Sequence, residues 1–215
     1  MPQIKDSLYE QLNPLTTVAG QHLVEDFSGD TLDTFRWKDD AFTGGTISMS
    51  DSVNGGLKLV SLTSNNSRLA ITFNDIYQFD QTGSSIIAVT SLDKNSTTGL
   101  LGQNVGFSGD TNASTSEADQ AVLKNNTAEG SNMQFFTKNG SSGVTDTGVA
   151  VKDDNTFFTT KIDLETVASC SINGVLVAQR STLPNKAVMP YFFHITYGGG
   201  VSTISHIRYM EAWNH

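Results

Sequence analysis

The chain has 215 residues, enough for one domain with its own hydrophobic core. Serine, threonine, asparagine and glycine make up about two-fifths of it, which is typical of a loop-rich all-β domain. The net charge of -9 repels phosphate backbones and so excludes a nucleic-acid-binding role. No stretch approaches the roughly 20 apolar residues of a membrane-spanning helix, so we expect no membrane partner.

The first 20 residues do not follow the pattern of the rest of the chain. They carry apolar residues three or four positions apart, namely Ile4, Leu8, Leu12 and Leu15. This spacing predicts a short amphipathic helix that ends before Pro14, or an arm that anchors the domain to an assembly. The alternative is a frayed terminus. We therefore divide the chain into an arm or docking segment, residues 1–20, and a domain, residues 21–215.

From Gln21 onward, short strand-like segments recur about every ten residues, separated by Gly, Asn and Asp. Such spacing favours a β-sandwich or barrel over alternating strands and helices. Ser108–Glu117 and Asn139–Thr147 are predicted to be polar loops. The predicted strands are His22–Phe27, Thr46–Ser50, Leu57–Ser61, Arg68–Phe73, Ser85–Ser91, Gln103–Phe107, Gln120–Lys124, Asn132–Thr137, Gly148–Lys152, Phe157–Leu164, Val167–Ile172, Val175–Gln179, Val188–Thr196 and Thr203–Trp213.

The sequence predicts one β-hairpin from its pattern of strand and turn residues. Apolar residues alternate with serines from Ala168 to Ile172, and Asn173-Gly174 supplies a two-residue turn that tolerates positive φ. Val175 then starts the return strand. The alternation places Cys170 on the buried face, so we interpret it as a small core residue and not as a nucleophile.

Two segments resemble one known superfamily. Val24–Asp33, followed by Phe35-Arg36-Trp37, is similar to the opening D-F-x-x-x-x-L-D-x-x-x-W of concanavalin A-like (lectin/glucanase, laminin G-like) domains. The hairpin, the bend at Pro184 and the terminal strand Ser205–Trp213 resemble the end of the same domains. The resemblance covers roughly residues 21–215, with specific anchors at its two ends. It implies an all-β fold, a two-sheet antiparallel jelly-roll sandwich with its terminal strands side by side and with Trp37 and Trp213 in the core.

A glycosidase of this superfamily would carry Glu-x-Asp-x-Glu or Glu-x-Asp-x-x-Glu, because alternate strand residues share a face and hydrolysis needs paired carboxyls. Glu117 and Asp119 match the first two positions, but the third carboxylate is missing. Asp163 and Glu165 form a second pair, which we assign to a solvent face with Lys161 as an ion partner of Asp163. We therefore predict no catalytic residues and no enzyme activity.

No cofactor is predicted. The four histidines lack zinc-site spacing, but oxygen ligands in loops leave a calcium ion possible. The candidate donors are Asp39-Asp40, Asp51 with Asn54, and Asp153-Asp154-Asn155. Turn formation is the other role open to these residues.

Carbohydrate binding would need aromatic faces beside short polar side chains. Tyr77 and Tyr197 lie near predicted turns, and a run of glycines from Gly198 to Gly200 would let a ligand approach the backbone. His194 is either a hydrogen-bonded histidine within the sheet or one wall of a binding face. The candidate glycan-binding residues are Tyr77, Tyr197 and His194.

The composition and the absence of a visible secretory signal suggest a protein made in a host cytoplasm for a bacteriophage virion. The first hypothesis is a non-catalytic capsid-decoration, head-fibre or tail-associated protein that docks onto other virion proteins or onto itself, and that binds surface carbohydrate. The alternative is a lectin module. A glycoside hydrolase is the third hypothesis.

Overall fold

The computed structural model describes residues 20–41, 44–50, 56–63, 66–73, 79–93, 100–109, 119–198 and 202–215. These ranges contain strands and no helix, as expected from the sequence. The predicted arm lies outside them, apart from Gly20. The strands are β1 His22–Glu25, β2 Trp37–Ala41, β3 Gly45–Met49, β4 Leu57–Ser61, β5 Ser67–Phe73, β6 Ser84–Asp93, β7 Leu100–Ser108, β8 Asp119–Asn126, β9 Asn132–Asn139, β10 Ser142–Ala150, β11 Phe158–Leu164, β12 Ala168–Ile172, β13 Val175–Arg180, β14 Met189–Gly198 and β15 Ile204–Asn214.

The strands form two antiparallel sheets packed face to face. The eight-stranded sheet has the order β13-β12-β11-β6-β15-β4-β3, with β1 paired to β15 as well. The seven-stranded sheet has the order β10-β9-β8-β7-β14-β5-β2. Pairing of His22 with Trp213 places the two terminal strands side by side, which confirms the expectation from the resemblance. In the described ranges we find no helix long and apolar enough to cross a membrane.

Alternation of apolar and polar residues directs one side of each sheet toward the other sheet. In β4, for example, Leu57 and Leu59 are fully buried while Lys58 between them is not. The side chains between the sheets form one large hydrophobic core. Its largest members are the aromatic residues Phe27, Trp37, Phe73, Phe79, Phe107, Phe135 and Phe192.

The N-terminal motif that carries the resemblance closes one part of this core. Glu25 accepts hydrogen bonds from the Phe27 backbone N–H at 2.9 Å and from the Trp37 indole N–H at 3.2 Å. The Trp37 ring packs against Phe27 at 5.5 Å and against Phe73 at 5.3 Å between centroids. Trp37 is a core residue, as predicted.

The predicted hairpin forms between β12 and β13. Asn173 and Gly174 have φ of 50° and 80°, the positive values that a tight primed turn requires. Cys170 is buried, and burial raises the pKa of its thiol to about 12. Its role as a core residue is therefore confirmed.

Two strands differ from the prediction. β2 was missed because Trp37 is the only large apolar residue in its WKDDA sequence. Much of the predicted loop Asn139–Thr147 belongs to β10, an edge strand that pairs only with β9. Its exposed Ser, Thr, Gly and Asp residues carry little of the hydrophobic alternation by which strands are recognised.

Gly106 in β7 occupies a position that excludes a side chain. Its φ is 148°, and an added Cβ would lie 2.3 Å from the Ala121 carbonyl oxygen and 2.8 Å from the Ile162 side chain. We expect Gly106→Ala to lower the free energy of unfolding by about 3 kcal/mol through backbone strain and overpacking. Chemical denaturation measures this loss.

The matched control is Gly83→Ala, since an added Cβ at Gly83 meets nothing closer than 3.9 Å. This variant should stay within about 0.5 kcal/mol of the unmodified chain. Equal effects of the two substitutions would contradict the assigned role of Gly106.

Candidate functional site

Two outer surfaces of the sandwich bear aromatic side chains, one on each sheet. The first is a cleft on the eight-stranded sheet, where β1 meets the end of β15. It has a volume of about 370 Å³ and is lined by Gly20, Gln21, His22, Glu211, Trp213 and Asn214. We call it the Trp213 cleft.

Trp213 provides the aromatic surface of this cleft. Its indole is partly buried, with His22 at 6.5 Å and His215 at 6.3 Å, each in an edge-on arrangement. The Lys161 ammonium lies 6.0 Å from the indole centre. The expectation that Trp213 is a core residue is therefore wrong, because the alternation of β15 turns Met210 and Ala212 inward and Trp213 outward.

Glu211 is a fixed hydrogen-bond acceptor beside the indole. Its carboxylate accepts a hydrogen bond from the Tyr209 hydroxyl at 2.7 Å and pairs with His22 at 2.7 Å. The Tyr209 and His22 contacts lower the pKa of Glu211. The same Tyr209–Glu211 hydrogen bond raises the pKa of Tyr209 to about 12. Glu211 is therefore ionised at neutral pH.

Gln21 lines the cleft beside His22, but its side chain is buried and both of its amide atoms are shielded from solvent. Continuing the alternation of β1, Gln21 shares the inward side with Leu23, whereas His22 faces outward. The Gln21 amide is therefore not open to a ligand in the cleft. The sequence analysis did not select Gln21, His22 or Glu211 as site residues. The resemblance nevertheless implies that the first and last strands lie side by side, and this pairing is what brings His22 next to Glu211.

Beside the cleft, three side chains of catalytic type are in contact. The Ser85 hydroxyl donates to Asp163 at 2.5 Å and contacts His215 Nε2 at 2.9 Å. In a serine nucleophile system the histidine lies between the serine and the acid, whereas here the serine lies between them. Lys161 also binds Asp163 at 2.8 Å, which confirms the predicted ion pair. This arrangement does not activate Ser85 as a nucleophile.

The second aromatic surface is the outer face of the seven-stranded sheet, by which we mean the side turned away from the core. Tyr197 lies at one end of it, and its hydroxyl accepts a hydrogen bond from the Asn126 amide at 3.0 Å. Burial raises the pKa of the Tyr197 phenol, and Glu129 adds to this. Nearby, the Lys124 ammonium lies 4.4 Å above the Phe136 ring and 3.4 Å from Glu129. Tyr197 thus lies among polar partners that already use its hydroxyl.

His194 points into the sandwich and not to either outer face. It is fully buried, with Nε2 2.9 Å from the Thr203 hydroxyl and Nδ1 2.7 Å from the Ser205 hydroxyl. Thr203 in turn contacts Ser61 and Thr196. The structure therefore does not support His194 as a wall of a binding face. Of the other predicted binding residues, Tyr77 lies outside the described residues.

Asp119 of the incomplete carboxylate motif also turns inward. It shares a side of β8 with the core residues Ala121 and Leu123, and its carboxylate accepts the Asn185 backbone N–H at 2.6 Å. Asp119 is thus a buried acceptor that orders the Asn185 turn. Glu117 lies outside the described residues.

Of the predicted calcium donors, Asp39 and Asp40 lie in strand β2, whereas Asp154 and Asn155 make hydrogen bonds in the loop before β11. Asp154 accepts the Thr156 backbone N–H at 3.1 Å, and Asn155 accepts the Ser91 hydroxyl at 2.9 Å. Asp51 and Asn54 lie outside the described residues. Within the described part of the chain, no group of three or more His, Cys, Asp or Glu side chains is placed to hold a metal ion.

Solved structures with a similar fold are numerous, although sequence similarity is low. A mixed-linkage glucan GH16 protein of Bacteroides ovatus, solved with its product, is 14% identical over 87% of this chain and 98% of that chain, with a TM-score of 0.61. The Emp47p carbohydrate recognition domain is 15% identical over 90% and 94%, with a TM-score of 0.62. A β-glucanase of Bacillus licheniformis is 13% identical over 93% and 100%, with a TM-score of 0.62.

The chain has the concanavalin A-like jelly-roll fold. No family model matches its sequence, and no curated protein matches it either. At such low identity the similarity to lectins and glucanases establishes the fold alone, since one fold carries many functions.

The buried His194 makes stability depend on pH. Burial lowers the pKa of His194 from 6.5 to about 3, so the unfolded chain takes up a proton between these values and the folded chain does not. Stability should therefore fall as the pH falls below about 6.5. Between pH 7 and pH 5 we expect His194 to account for a loss of roughly 2 kcal/mol in the free energy of unfolding.

The measurement is urea denaturation of the unmodified chain and of His194→Gln at both pH values. His194→Gln should flatten the dependence, whatever its effect on absolute stability, and the exposed His215→Gln should not. Burial also lowers the pKa of the partly buried His206, so His206 adds to the loss of stability at low pH. It does so equally in every variant. An unchanged slope in His194→Gln would contradict the prediction.

Proposed function

We propose that this protein binds carbohydrate in the Trp213 cleft. The observation that carries the proposal is the convergence of a partly exposed indole and the ionised Glu211 carboxylate on one open cleft. Sugars present an apolar face of C–H groups and a rim of hydroxyls. An aromatic ring suits the first, and carboxylate and amide groups suit the second.

Electrostatics favour a neutral sugar. Glu211 and the nearby Asp163 are both acidic, and the chain carries a net charge of -9. Acidic surroundings repel uronates and sulfated glycans. Carboxylates accept hydrogen bonds from neutral sugar hydroxyls, and such charge-assisted bonds are stronger than neutral ones.

The similar folds support the choice of ligand class. One neighbour was solved with a glucan product, and another is a carbohydrate recognition domain. These functions belong to those proteins, and they direct the choice of probes for this one. Mixed-linkage β-glucan oligosaccharides and a glycan array are the first ligands to test.

We expect Trp213→Ala to weaken glycan binding at least about tenfold, equivalent to about 1.4 kcal/mol, because the ring supplies the stacking surface. Glu211→Gln should weaken it as well, because it removes the charged hydrogen-bond acceptor. Isothermal titration calorimetry with the best array hit measures both, after thermal melts have shown that the variants are folded.

Tyr197→Ala is the matched control, since Tyr197 is a partly buried aromatic residue on the opposite sheet. It also tests the sequence-based choice of Tyr197. Loss of binding in Tyr197→Ala with full binding in Trp213→Ala would show that the site is assigned to the wrong face. No binding to any array glycan or glucan at millimolar concentration would contradict the function itself.

The predicted docking onto virion proteins or onto itself, the location in a virion and the lack of enzyme activity remain predictions from the sequence. Attachment to a particle is compatible with glycan binding, because a surface protein of a particle can bind surface carbohydrate.

A further inference from the structure

The outer face of the seven-stranded sheet carries a buried apolar patch, although this face points away from the core. Antiparallel partners share a face, and the pairings align Tyr191, Gly106, Val122 and Phe136 in one row across β14, β7, β8 and β9. These side chains belong to a second hydrophobic cluster, separate from the core between the sheets. Its members are Ala70, Val122, Phe136, Tyr191, Phe193 and Ile195, with Tyr197 packed at its edge.

The cluster is covered. Tyr191, Phe193, Val122 and Ala70 are each 0% exposed, and Phe136 is 7% exposed. A single sheet surface without a layer above it leaves large side chains partly in water, except where a long neighbour lies over them, as Lys124 lies over the Phe136 ring. The strands described here lie in the two sheets, and none forms a third layer above this face.

We propose that the segment of residues 1–19 packs on this face through its apolar residues. The segment carries Ile4, Leu8, Tyr9, Leu12, Leu15 and Val18. The other stretches outside the described ranges are short or polar: 42–43, 51–55, 64–65, 74–78, 94–99, 110–118 and 199–201. Among them, only 74–78 holds more than one large apolar residue, Ile76 and Tyr77. Of these stretches, residues 1–19 carry the most large apolar side chains, enough to cover five large residues of the cluster.

The segment of residues 1–19 also joins the domain close to the apolar cluster. The Gln21 carbonyl accepts the Asn214 backbone N–H at 2.9 Å, and the Asn214 side chain accepts the Asp80 N–H at 3.0 Å. The preceding residue, Phe79, pairs with Val188, immediately before β14. Gly20 therefore leaves the domain at the end of the sandwich where β14 begins, and Tyr191 is the first cluster residue on that strand.

The length of the segment is sufficient. Nineteen residues span about 28 Å as a helix and about 60 Å when extended. The cluster runs about 14 Å along β14, from Tyr191 to Ile195.

Thiol labelling of the full chain tests the proposal. Val122→Cys puts a smaller side chain at the centre of the cluster, and Val175→Cys puts a thiol at a position that is 64% exposed. The native Cys170 is buried with its pKa raised to about 12, so it reacts slowly and reports unfolding if it reacts. A maleimide should label Val122→Cys at least tenfold more slowly than Val175→Cys.

Adding Leu8→Asp and Leu12→Asp should speed labelling of Val122→Cys at least tenfold, with no change at Val175→Cys or Cys170. The matched control, Ser7→Asp with Gln11→Asp, adds the same charges at neighbouring polar positions and should leave all rates unchanged. If the double substitution also speeds labelling of Cys170, it has unfolded the domain, and the single substitution Leu8→Ser is used in its place. It too should speed labelling of Val122→Cys at least tenfold.

Labelling of Val122→Cys that is unaffected by the leucine substitutions overturns the proposal, because the face is then either open or covered by another segment. Protection that disappears on dilution, together with a dimer in light scattering, identifies a second copy as the cover and overturns it as well. The experiment uses no glycan, so its outcome is independent of the proposed carbohydrate binding.

Discussion

The structure depends on one constraint, which is that an inner strand of the seven-stranded sheet, β14, carries buried aromatic side chains on both sides. In β14, Phe192 faces the core while Tyr191 and Phe193 face outward, and all three are fully buried. A strand buried on both faces requires a layer on each side, as in sheets that carry helices on both surfaces. The eight-stranded sheet supplies one layer, and the other must come from elsewhere in the chain or from a partner.

Polar contacts between the sheets fix how the two layers sit on each other. At one end, His194 of β14 contacts Thr203, which directly precedes β15, and Ser205 within β15. At the other end, Arg180 of β13 donates to Thr137 at 2.9 Å and to Thr145 at 2.8 Å. Buried polar groups stabilise only the arrangement that satisfies them, so these contacts select one sheet alignment, whereas apolar packing tolerates several.

Much of the fold could be predicted from the sequence, because strands with one buried face alternate visibly and because Asn173-Gly174 specifies its own turn. The edge strand β10 could not, since an edge pairs on one side and needs few apolar residues. The cleft was hard to predict for another reason. Gln21, Glu211 and Trp213 lie far apart in sequence and meet only through the pairing of β1 with β15, and the bulge near Arg208 decides which side of β15 Trp213 occupies. The pattern of apolar residues in a single sequence does not reveal such a bulge.

The two outer surfaces of the sandwich therefore differ in chemical character and in exposure. The seven-stranded face is rich in aliphatic and aromatic side chains that are already buried, so it is a packing surface. The eight-stranded face is polar around a partly exposed indole, and its Glu211 acceptor is held in place by Tyr209 and His22. A ligand that binds there displaces water from the cleft and leaves every buried contact of the fold intact. Binding on the opposite face would first require removal of whatever covers Tyr191 and Phe193. This difference in cost is the physical reason to propose recognition at the cleft and packing of residues 1–19 on the apolar face.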